Sequence, residues 1–209
     1  MAAVTPIVFV VDDDISVRES LELLISEAGW RAQLCASAEE FLAQPRPLCP
    51  SCLILDVTLP DLNGLDLQKR ISGDRAELPI IFMTGYGDIP MTVDAMKGGA
   101  VEFLTKPVAP TILLNAIEGA LARSRATLEE RGRLRALRER YESLSRRERE
   151  VMGLVVRGQL NKQVGGELGI EEITVKAHRG RMMRKMGARS LPELVTIASR
   201  LGLVTAGKV

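Results

Sequence analysis

Short apolar runs bounded by turn residues alternate with amphipathic segments over the first half of the chain. The runs predict five β-strands, at Ile7–Val11, Gln33–Ala36, Leu53–Leu55, Ile80–Met83 and Val101–Leu104. Three- and four-residue spacing of apolar side chains predicts helices between them, at Val17–Ala28, Ala38–Ala43, Gly64–Ile71 and Pro90–Lys97. Strands that alternate with helices are typical of a parallel sheet covered on both faces. We therefore expect an α/β doubly wound domain with a five-stranded parallel sheet.

The apolar pattern after the fifth strand predicts one long, highly charged helix from Pro110 to about Arg140. Its heptad register slips near Arg131 and Gly132, and we expect a bend, a break or a mobile joint at that point. The segment is either a solvated linker helix or a short dimerising coiled coil, and the pattern favours neither.

The pattern from Ser145 onward contains helices and no convincing strand. Ser145 and Glu148 have the spacing of a capping box at the start of one helix, and Asn161 is the expected N-cap of the next. A tight turn at Gly169 predicts a helix-turn-helix, which a final helix covers. We expect three parts: an α/β domain over residues 1–122, a long helical linker over 123–144, and an all-α helix-turn-helix domain over 145–209.

Charge divides the chain in the same way. Residues 1–122 carry 8 Lys and Arg against 17 Asp and Glu, whereas residues 151–209 carry 10 against 4. The basic part suits nucleic acid or an anionic membrane surface. Because no apolar run reaches membrane-spanning length and no signal-peptide pattern is present, we expect a soluble cytoplasmic protein with no membrane partner.

The three cysteines predict no disulfide framework, since their number is odd. Cys49 and Cys52 have the spacing of a redox pair or of half a zinc site. A redox pair belongs at a helix N-terminus, and a zinc site needs two further ligands. This pair leads into a strand, so we interpret it as an ordinary loop.

The ends of the predicted strands carry side chains that complement one another. Two carboxylates follow the first strand, one follows the third, and a hydroxyl and an ammonium follow the fourth and fifth: Asp12, Asp13, Asp56, Thr84 and Lys106. Ligands of such sheets bind outside the carboxyl ends of the strands. Converging carboxylates repel one another unless a cation such as Mg2+ lies among them, and a hydroxyl and an ammonium suit phosphate oxygens. The set predicts phosphoryl transfer onto Asp56.

Three stretches carry a resemblance to a known family: "VVDDD", "LILDVTLPDLNGLDL" and "MTGYGDIPMTVDAMKGGAVEFLTKP". Residues 1–122 resemble the flavodoxin-like receiver domain of two-component systems, and residues 145–205 resemble the LuxR-type helix-turn-helix. The whole chain is similar to response regulators of the FixJ/NarL family, on the FixJ branch. The resemblance implies that Asp56 accepts phosphate from a sensor histidine kinase. It also implies that Asp13, Asp56 and the backbone carbonyl of Thr58 bind Mg2+, with Asp12 helping through water.

The resemblance extends to the switch. It implies that the Thr84 hydroxyl and Lys106 turn to the aspartyl phosphate, that Phe103 changes rotamer behind Thr84, and that the Lys106–Pro107 peptide is cis. Phosphorylation would then promote a homodimer that binds double-stranded promoter DNA, with RNA polymerase as a further partner. Val108 departs from the family pattern, because the FixJ branch usually has Phe there.

The second helix of the predicted helix-turn-helix has two unlike faces. Val175, His178, Met182 and Met186 share the inner face, where we expect His178 to be packed and hydrogen-bonded. The opposite face is small in its middle and basic at its edges, with Lys176, Ala177, Gly180, Arg181 and Arg184. Small residues let a helix approach base edges while basic side chains reach phosphates or guanine. This face is our candidate for the major groove. Three residues hold supporting positions for DNA binding: we assign Arg179, on the flank of the helix, to the phosphate backbone at most, and Lys162, beside the expected N-cap Asn161, to a contact with the same backbone.

The favoured hypothesis is a phosphorylation-controlled transcription regulator, not an enzyme, whose only chemistry is transfer to and hydrolysis from Asp56. One alternative is a phosphatase or mutase that works through a phospho-aspartate. Such enzymes usually have a second carboxylate where Thr58 stands. The other alternative is a helix-turn-helix protein whose front domain is an unphosphorylated dimerisation module. The intact acidic set argues against it.

Overall fold

The computed structural model describes residues 4–74, 77–85 and 88–204. Contacts divide the chain into two compact units, Met1–Glu129 and Glu130–Val209, which are described separately below. The division falls within the segment expected as a linker. The three predicted domain boundaries stay a prediction.

The first unit contains one sheet of five parallel strands. The strands are β1 (Ile7–Val11), β2 (Arg31–Cys35), β3 (Ser51–Leu55), β4 (Ile80–Thr84) and β5 (Glu102–Thr105). Their order in the sheet is β2-β1-β3-β4-β5, and each neighbouring pair is parallel. From β1 the chain first adds β2 on one side, and it then returns to add β3, β4 and β5 in succession on the other side of β1. The β1–β3 boundary is therefore the point where a crevice opens at the carboxyl ends of the strands.

Helices cover both faces of this sheet. They are α1 (Ile15–Glu27), α2 (Ala38–Ala43), α3 (Gly64–Asp74), α4 (Ile89–Lys97) and the first part of α5 (Pro110–Glu142). One face packs its alternate side chains, such as Phe9 and Phe82, against Phe41 of α2 and Leu67 of α3. The other face packs against α1 and α5 through a second cluster that includes Ile117. The predicted doubly wound α/β fold is confirmed.

Most element bounds move by one to three residues from their predicted positions. Helix α1 begins at Ile15, two residues before the first apolar residue of its stripe, because the Asp14 carboxylate caps it by accepting a hydrogen bond from the Ser16 N–H at 2.8 Å. Strand β2 spans Arg31–Cys35 and not Gln33–Ala36. It lies at the edge of the sheet, where Cys35 is its one buried residue.

Helix α5 is continuous for 33 residues. It passes through Arg131 and Gly132 without interruption, so a break at that point was wrong, while a bend or a mobile joint stays a prediction. Glycine weakens a helix interior by about 1 kcal/mol relative to alanine. Good helix formers surround Gly132, and the pair Arg135–Glu139, with N and O atoms 2.9 Å apart, follows it at helical spacing.

The second unit is all helical after α5. It contains α6 (Arg146–Val155), α7 (Asn161–Leu168), α8 (Glu172–Met186) and α9 (Leu191–Arg200), around a core of buried residues Val151, Met152, Val155, Val164, Val175, Met182, Met186, Leu194 and Ala198. Gly169 ends α7 with φ +65°, a conformation that favours glycine. The predicted helix-turn-helix with its turn at Gly169 is confirmed.

One of the two predicted caps in this unit is present. The Ser145 hydroxyl accepts from the Glu148 N–H at 3.3 Å, and the Glu148 carboxylate accepts from the Ser145 N–H at 2.8 Å. The N-cap of α7 is Leu160 and not Asn161. The Leu160 N–H donates to the Gln163 side chain at 2.8 Å, so the cap is made by a residue inside the helix.

All three cysteines are buried thiols. Cys49 and Cys52 lie on either side of the start of β3, as expected for an ordinary loop before a strand. Burial raises the pKa of the Cys52 thiol to about 12, so it is not a nucleophile at neutral pH. In the described part of the chain, every helix is too short or too polar to cross a bilayer.

Candidate functional site

Three carboxylates meet where β1 and β3 end. The strands pair in parallel with Val11 opposite Leu55, so the residues that follow them, Asp12 and Asp56, lie side by side. One carboxylate oxygen of each, together with one of Asp13, lie within 4.8 Å of one another. Asp12 and Asp56 are 2% and 7% exposed, whereas Asp13 is exposed. The predicted cluster is therefore assembled, with Asp13 on its solvent side.

An ammonium joins two of these carboxylates. Lys106 follows β5, and its Nζ lies 2.6 Å from Asp12 Oδ2 and 2.6 Å from Asp56 Oδ2. The Lys106 N–H donates to the Thr84 carbonyl oxygen at 2.8 Å, which holds the loop against the end of β4. The Lys106–Pro107 peptide is cis, as the resemblance implied.

The charges of the cluster do not balance. Burial raises the pKa of the Asp12 carboxyl, and the hydrogen bond from Lys106 offsets this only in part. Burial lowers the pKa of Lys106, but its hydrogen bonds to Asp12 and Asp56 outweigh that effect and leave the pKa raised. With all three carboxyl groups ionised, three negative charges face one positive charge. The excess of two negative charges favours a divalent cation.

The donor set fits Mg2+. Two oxygens on opposite sides of one Mg2+ lie about 4.2 Å apart, which is twice the usual bond length of about 2.1 Å. The carboxylate oxygens of the cluster already lie within 4.8 Å of one another. Small side-chain adjustments would therefore let this all-oxygen set hold the ion.

The other predicted switch residues surround the cluster. Thr84 ends β4 and is 1% exposed. Phe103 lies on β5 opposite Phe82, with ring centroids 6.0 Å apart. Thr58 is exposed, and its N–H donates to Asp56 Oδ1 at 3.0 Å. The structure thus brings all of these residues to one edge of the sheet or to the strand behind it, while their roles stay a prediction.

Two residues that support the cluster were not predicted. A Cβ at Gly64 would collide with the Asp56 carbonyl oxygen, so the start of α3 comes close to the acceptor only because residue 64 is glycine. The Arg18 guanidinium donates to the Asp12 carbonyl oxygen at 2.6 Å and ties α1 to the acidic loop. The sequence pattern indicated Gly64 only as the first residue of a helix. No pattern in the sequence indicated that Arg18 contacts the acidic loop.

The two faces of α8 are those predicted. Val175, Met182 and Met186 are buried, and His178 is half-buried. The opposite face is exposed at each of its five predicted positions, Lys176, Ala177, Gly180, Arg181 and Arg184. Contacts of these residues with DNA stay a prediction.

The supporting positions have roles within the fold. Arg179 Nη1 donates to Asn161 Oδ1 at 3.0 Å, so these residues join α8 to α7, while Lys162 is exposed at the start of α7. His178 differs from expectation. Its Nδ1 is buried and has no hydrogen-bond partner within the described residues.

A doubly wound sheet with an acidic, lysine-bridged crevice, in one chain with a helix-turn-helix, indicates the class of switch proteins that bind DNA. Comparison with known families agrees with this class. Residues 8–118 match the response regulator receiver domain, and residues 142–198 match the bacterial regulatory proteins of the luxR family. The chain belongs to this family of response regulators. It is a DNA-binding two-component transcriptional regulator, and the family is one of regulators and not of classical enzymes.

Three relatives illustrate the similarity. "Nodulation protein W" of Bradyrhizobium diazoefficiens is 49% identical over 202 residues, which are 97% of this chain and 89% of that protein. "Transcriptional regulatory protein FixJ" of Azorhizobium caulinodans is 39% identical over 199 residues, 95% and 94% of the two chains. The solved structure of response regulator StyR is 44% identical, with a TM-score of 0.84 over 94% of this chain and 100% of that one. Dimerisation driven by phosphorylation is typical of this family.

Proposed function

We propose that Asp56 accepts a phosphoryl group from a sensor histidine kinase and that the phosphorylated chain forms a homodimer that binds promoter DNA. The observation that carries the proposal is the position of Lys106, whose Nζ lies 2.6 Å from both Asp12 and Asp56. This arrangement holds one ammonium next to the acceptor oxygen. The ammonium can therefore exchange a carboxylate partner for a phosphoryl oxygen without a large movement.

The transfer is a single displacement at phosphorus. A carboxylate oxygen of Asp56 forms a bond to phosphorus while the bond from phosphorus to the kinase histidine nitrogen breaks, and that nitrogen keeps the electron pair. Lys106 and the Thr84 hydroxyl donate to the phosphoryl oxygens after transfer. Later hydrolysis by water returns the Asp56 carboxylate. These two steps on its own aspartate are the only chemistry that we assign to the chain.

Asp12, Asp13, Asp56 and the carbonyl oxygen of Thr58 would hold Mg2+. When bound, the ion supplies positive charge that reduces repulsion between the incoming phosphoryl oxygens and the carboxylates. The chain's own residues prepare this site. Arg18 and the Thr58 N–H fix the two loops that carry the ligands.

The output side of the receiver is the face of Pro90–Val101. Val93 and Met96 on α4 are 41% and 44% exposed, which provides apolar area for a dimer contact. Phe103, on β5, would couple Thr84 to this face by changing rotamer. Dimerisation then presents two copies of α8 to paired half-sites.

DNA binding follows from the exposed face of α8. Lys176, Arg181 and Arg184 reach phosphates or guanine while Ala177 and Gly180 allow close approach to base edges. We assign Lys162, at the start of α7, to the phosphate backbone, and the Arg179–Asn161 hydrogen bond positions α7 against α8. RNA polymerase is the proposed downstream partner, and the proposed site of action is the cytoplasm.

Intact-mass spectrometry after treatment with acetyl phosphate and Mg2+ tests the acceptor. We expect the wild type to gain one phosphoryl group and Asp56→Asn to gain none. Asp66→Asn is the matched control, because Asp66 is an exposed carboxylate of the same unit that pairs with Lys69, and it should be phosphorylated like the wild type. Phosphorylation of Asp56→Asn to the same extent, or none of the wild type, would contradict the proposal.

Light scattering and DNA binding of the same samples test the output. Salt concentration must be held constant, because phosphate contacts dominate affinity. We expect the phosphorylated wild type to become dimeric and to bind DNA more tightly than Asp56→Asn. Equal affinity with and without phosphate would favour an unphosphorylated dimerisation module. Sustained turnover of small phosphate esters would instead favour a phosphatase.

A further inference from the structure

The exposed face of α8 begins with a large apolar side chain. Ile173 lies in the first turn of α8 and is 72% exposed. Ala177 and Gly180 follow it at i+4 and i+7, and both are exposed. Residues at these spacings lie above one another on a helix. The face therefore contains a continuous stripe, defined as Ile173, Ala177 and Gly180, that carries no polar side chain.

Basic side chains flank this stripe. Lys176 and Arg181 are exposed on its two sides, and Arg184, exposed at i+4 from Gly180, follows the stripe along the same face. Such long cations contact phosphates on either side of a groove, while the part of the helix between them faces the bases. A duplex that meets this face with its phosphates on the basic flanks therefore presents base edges to the stripe.

Two carboxylates restrict what the first turn of α8 can meet. Glu171 and Glu172 are exposed next to Ile173, and Glu172 lies 3.2 Å from the Lys176 ammonium. Negative charge at this turn disfavours a phosphate there. The apolar group that a major groove offers away from its phosphates is the 5-methyl group of thymine.

We propose that Ile173 and Ala177 contact thymine methyl groups, and that Ile173 is a specificity-determining residue of the operator. The inference rests on the proposed function, in which α8 enters the major groove. Four residues of helix advance about 6 Å, and successive bases of one strand are about 3.4 Å apart. The two side chains therefore reach positions about two base steps from each other.

Selection from a pool of random double-stranded DNA tests the proposal. The full-length chain, treated with acetyl phosphate and Mg2+, is used as wild type, Ile173→Ala, Ile173→Val and Leu160→Ala. Leu160 is a matched control because it is 70% exposed in the same unit and lies outside α8. We expect the wild type and Leu160→Ala to enrich the same site, and Ile173→Ala to lose a preference for thymine at one position of each half-site.

Replacement of that thymine by deoxyuridine isolates the methyl group. Burial of one methyl group corresponds to about a fourfold change in affinity. The wild type and Leu160→Ala should bind the deoxyuridine site about fourfold more weakly, Ile173→Ala should bind both sites equally, and Ile173→Val should retain part of the difference. The circular dichroism of each variant checks that the helices are intact.

The outcomes separate the two proposals. If the wild type enriches no sequence, the proposed DNA-binding function fails and the inference fails with it. If the wild type enriches a site and Ile173→Ala keeps the same thymine preference and the same sensitivity to deoxyuridine, only the inference is overturned. Loss of affinity in Ile173→Ala that is equal for both sites and equal for unrelated DNA would also overturn it.

Discussion

Replacement of Glu148 by alanine should destabilise the helix-turn-helix unit and leave the α/β unit unchanged. Glu148 is 3% exposed. It accepts hydrogen bonds from the Ser145 N–H at 2.8 Å and from Lys185 Nζ at 2.6 Å. The substitution therefore removes one half of the capping box of α6 and the ion pair between α6 and α8.

The expected loss follows from these two contacts. A helix cap contributes about 1 kcal/mol, and a hydrogen bond to a charged group contributes about 1.5–3 kcal/mol. The Lys185 side chain is 39% exposed, so water can solvate it again and the lower end applies. The free energy of unfolding should fall by about 2.5 kcal/mol, which for a unit of this size corresponds to a fall in Tm of about 10–20 °C.

Thermal unfolding of the full-length chain with two probes measures this change. Circular dichroism follows the helices of both units, whereas the fluorescence of Trp30, the single tryptophan, follows only the α/β unit in which it packs. Glu148→Gln is the matched variant, because it keeps an acceptor for the Ser145 N–H and loses the charge, so its loss should be smaller. A fall in Tm of less than about 3 °C for Glu148→Ala, or an equal fall in the Trp30 transition, would refute the reasoning.

Acid should remove the same contribution. The hydrogen bond from Lys185 holds the pKa of Glu148 below its ordinary value of 4.5. A carboxyl group whose pKa is lowered by folding stabilises the folded state above its unfolded pKa, and this contribution is lost as the pH falls through the folded pKa. The difference in Tm between wild type and Glu148→Gln should therefore be complete at neutral pH and shrink below pH 4.5. A constant difference across that range would contradict the assignment.

Three other features give predictions of their own. Gly166→Ala should raise the free energy of unfolding by about 1 kcal/mol, since a Cβ there meets nothing within 4 Å. Gly165→Ala should be less stable than Gly166→Ala, because its Cβ would lie 2.8 Å from the Ile170 carbonyl oxygen. Urea unfolding compares the two variants, and equal stability would contradict the clash. Gly64→Ala should slow phosphorylation by acetyl phosphate, because its Cβ would collide with the backbone of the acceptor aspartate. Intact mass against time measures the rate, and an unchanged rate would contradict the prediction by showing that the loop adapts to the Cβ. Lys176→Ala should weaken binding to all DNA sequences alike and reduce the steepness of log affinity against log salt by about 1. Titrations at several salt concentrations test this prediction, and a loss of affinity confined to one sequence would indicate a base contact instead.

The sequence predicted those parts of the site that depend on strand ends. Asp12 and Asp56 each follow a continuous apolar run, and parallel strands bring such residues to one edge of the sheet whatever the details of packing. The same logic fixed β1 at Ile7–Val11. It failed for β2, because an edge strand with one buried residue, Cys35, has no apolar run that marks its ends.

Contacts that depend on the path of a loop had no such pattern. The hydrogen bond from Arg18 to the Asp12 carbonyl oxygen joins a side chain to a backbone atom. Every residue has a backbone carbonyl oxygen, so the residue types do not indicate which one will accept such a bond. Asn161 was expected as an N-cap from its residue type, but the Leu160 N–H is satisfied by Gln163, and the Asn161 side chain is used by Arg179, 18 residues later. The preference of asparagine for the N-cap position did not decide the outcome here, because the Asn161 side chain accepts a hydrogen bond from another helix.

The burial of the three native thiols makes this chain convenient for site-specific labelling. Cys35 is 1% exposed, Cys52 is 0% exposed and Cys49 is 7% exposed. Thiol reagents act on accessible thiolates, so a maleimide dye should react with one cysteine introduced on the surface and leave the native three unmodified. A dye attached to the helix-turn-helix unit, paired with Trp30 as the energy donor, would then report the distance between the two units in solution before and after phosphorylation.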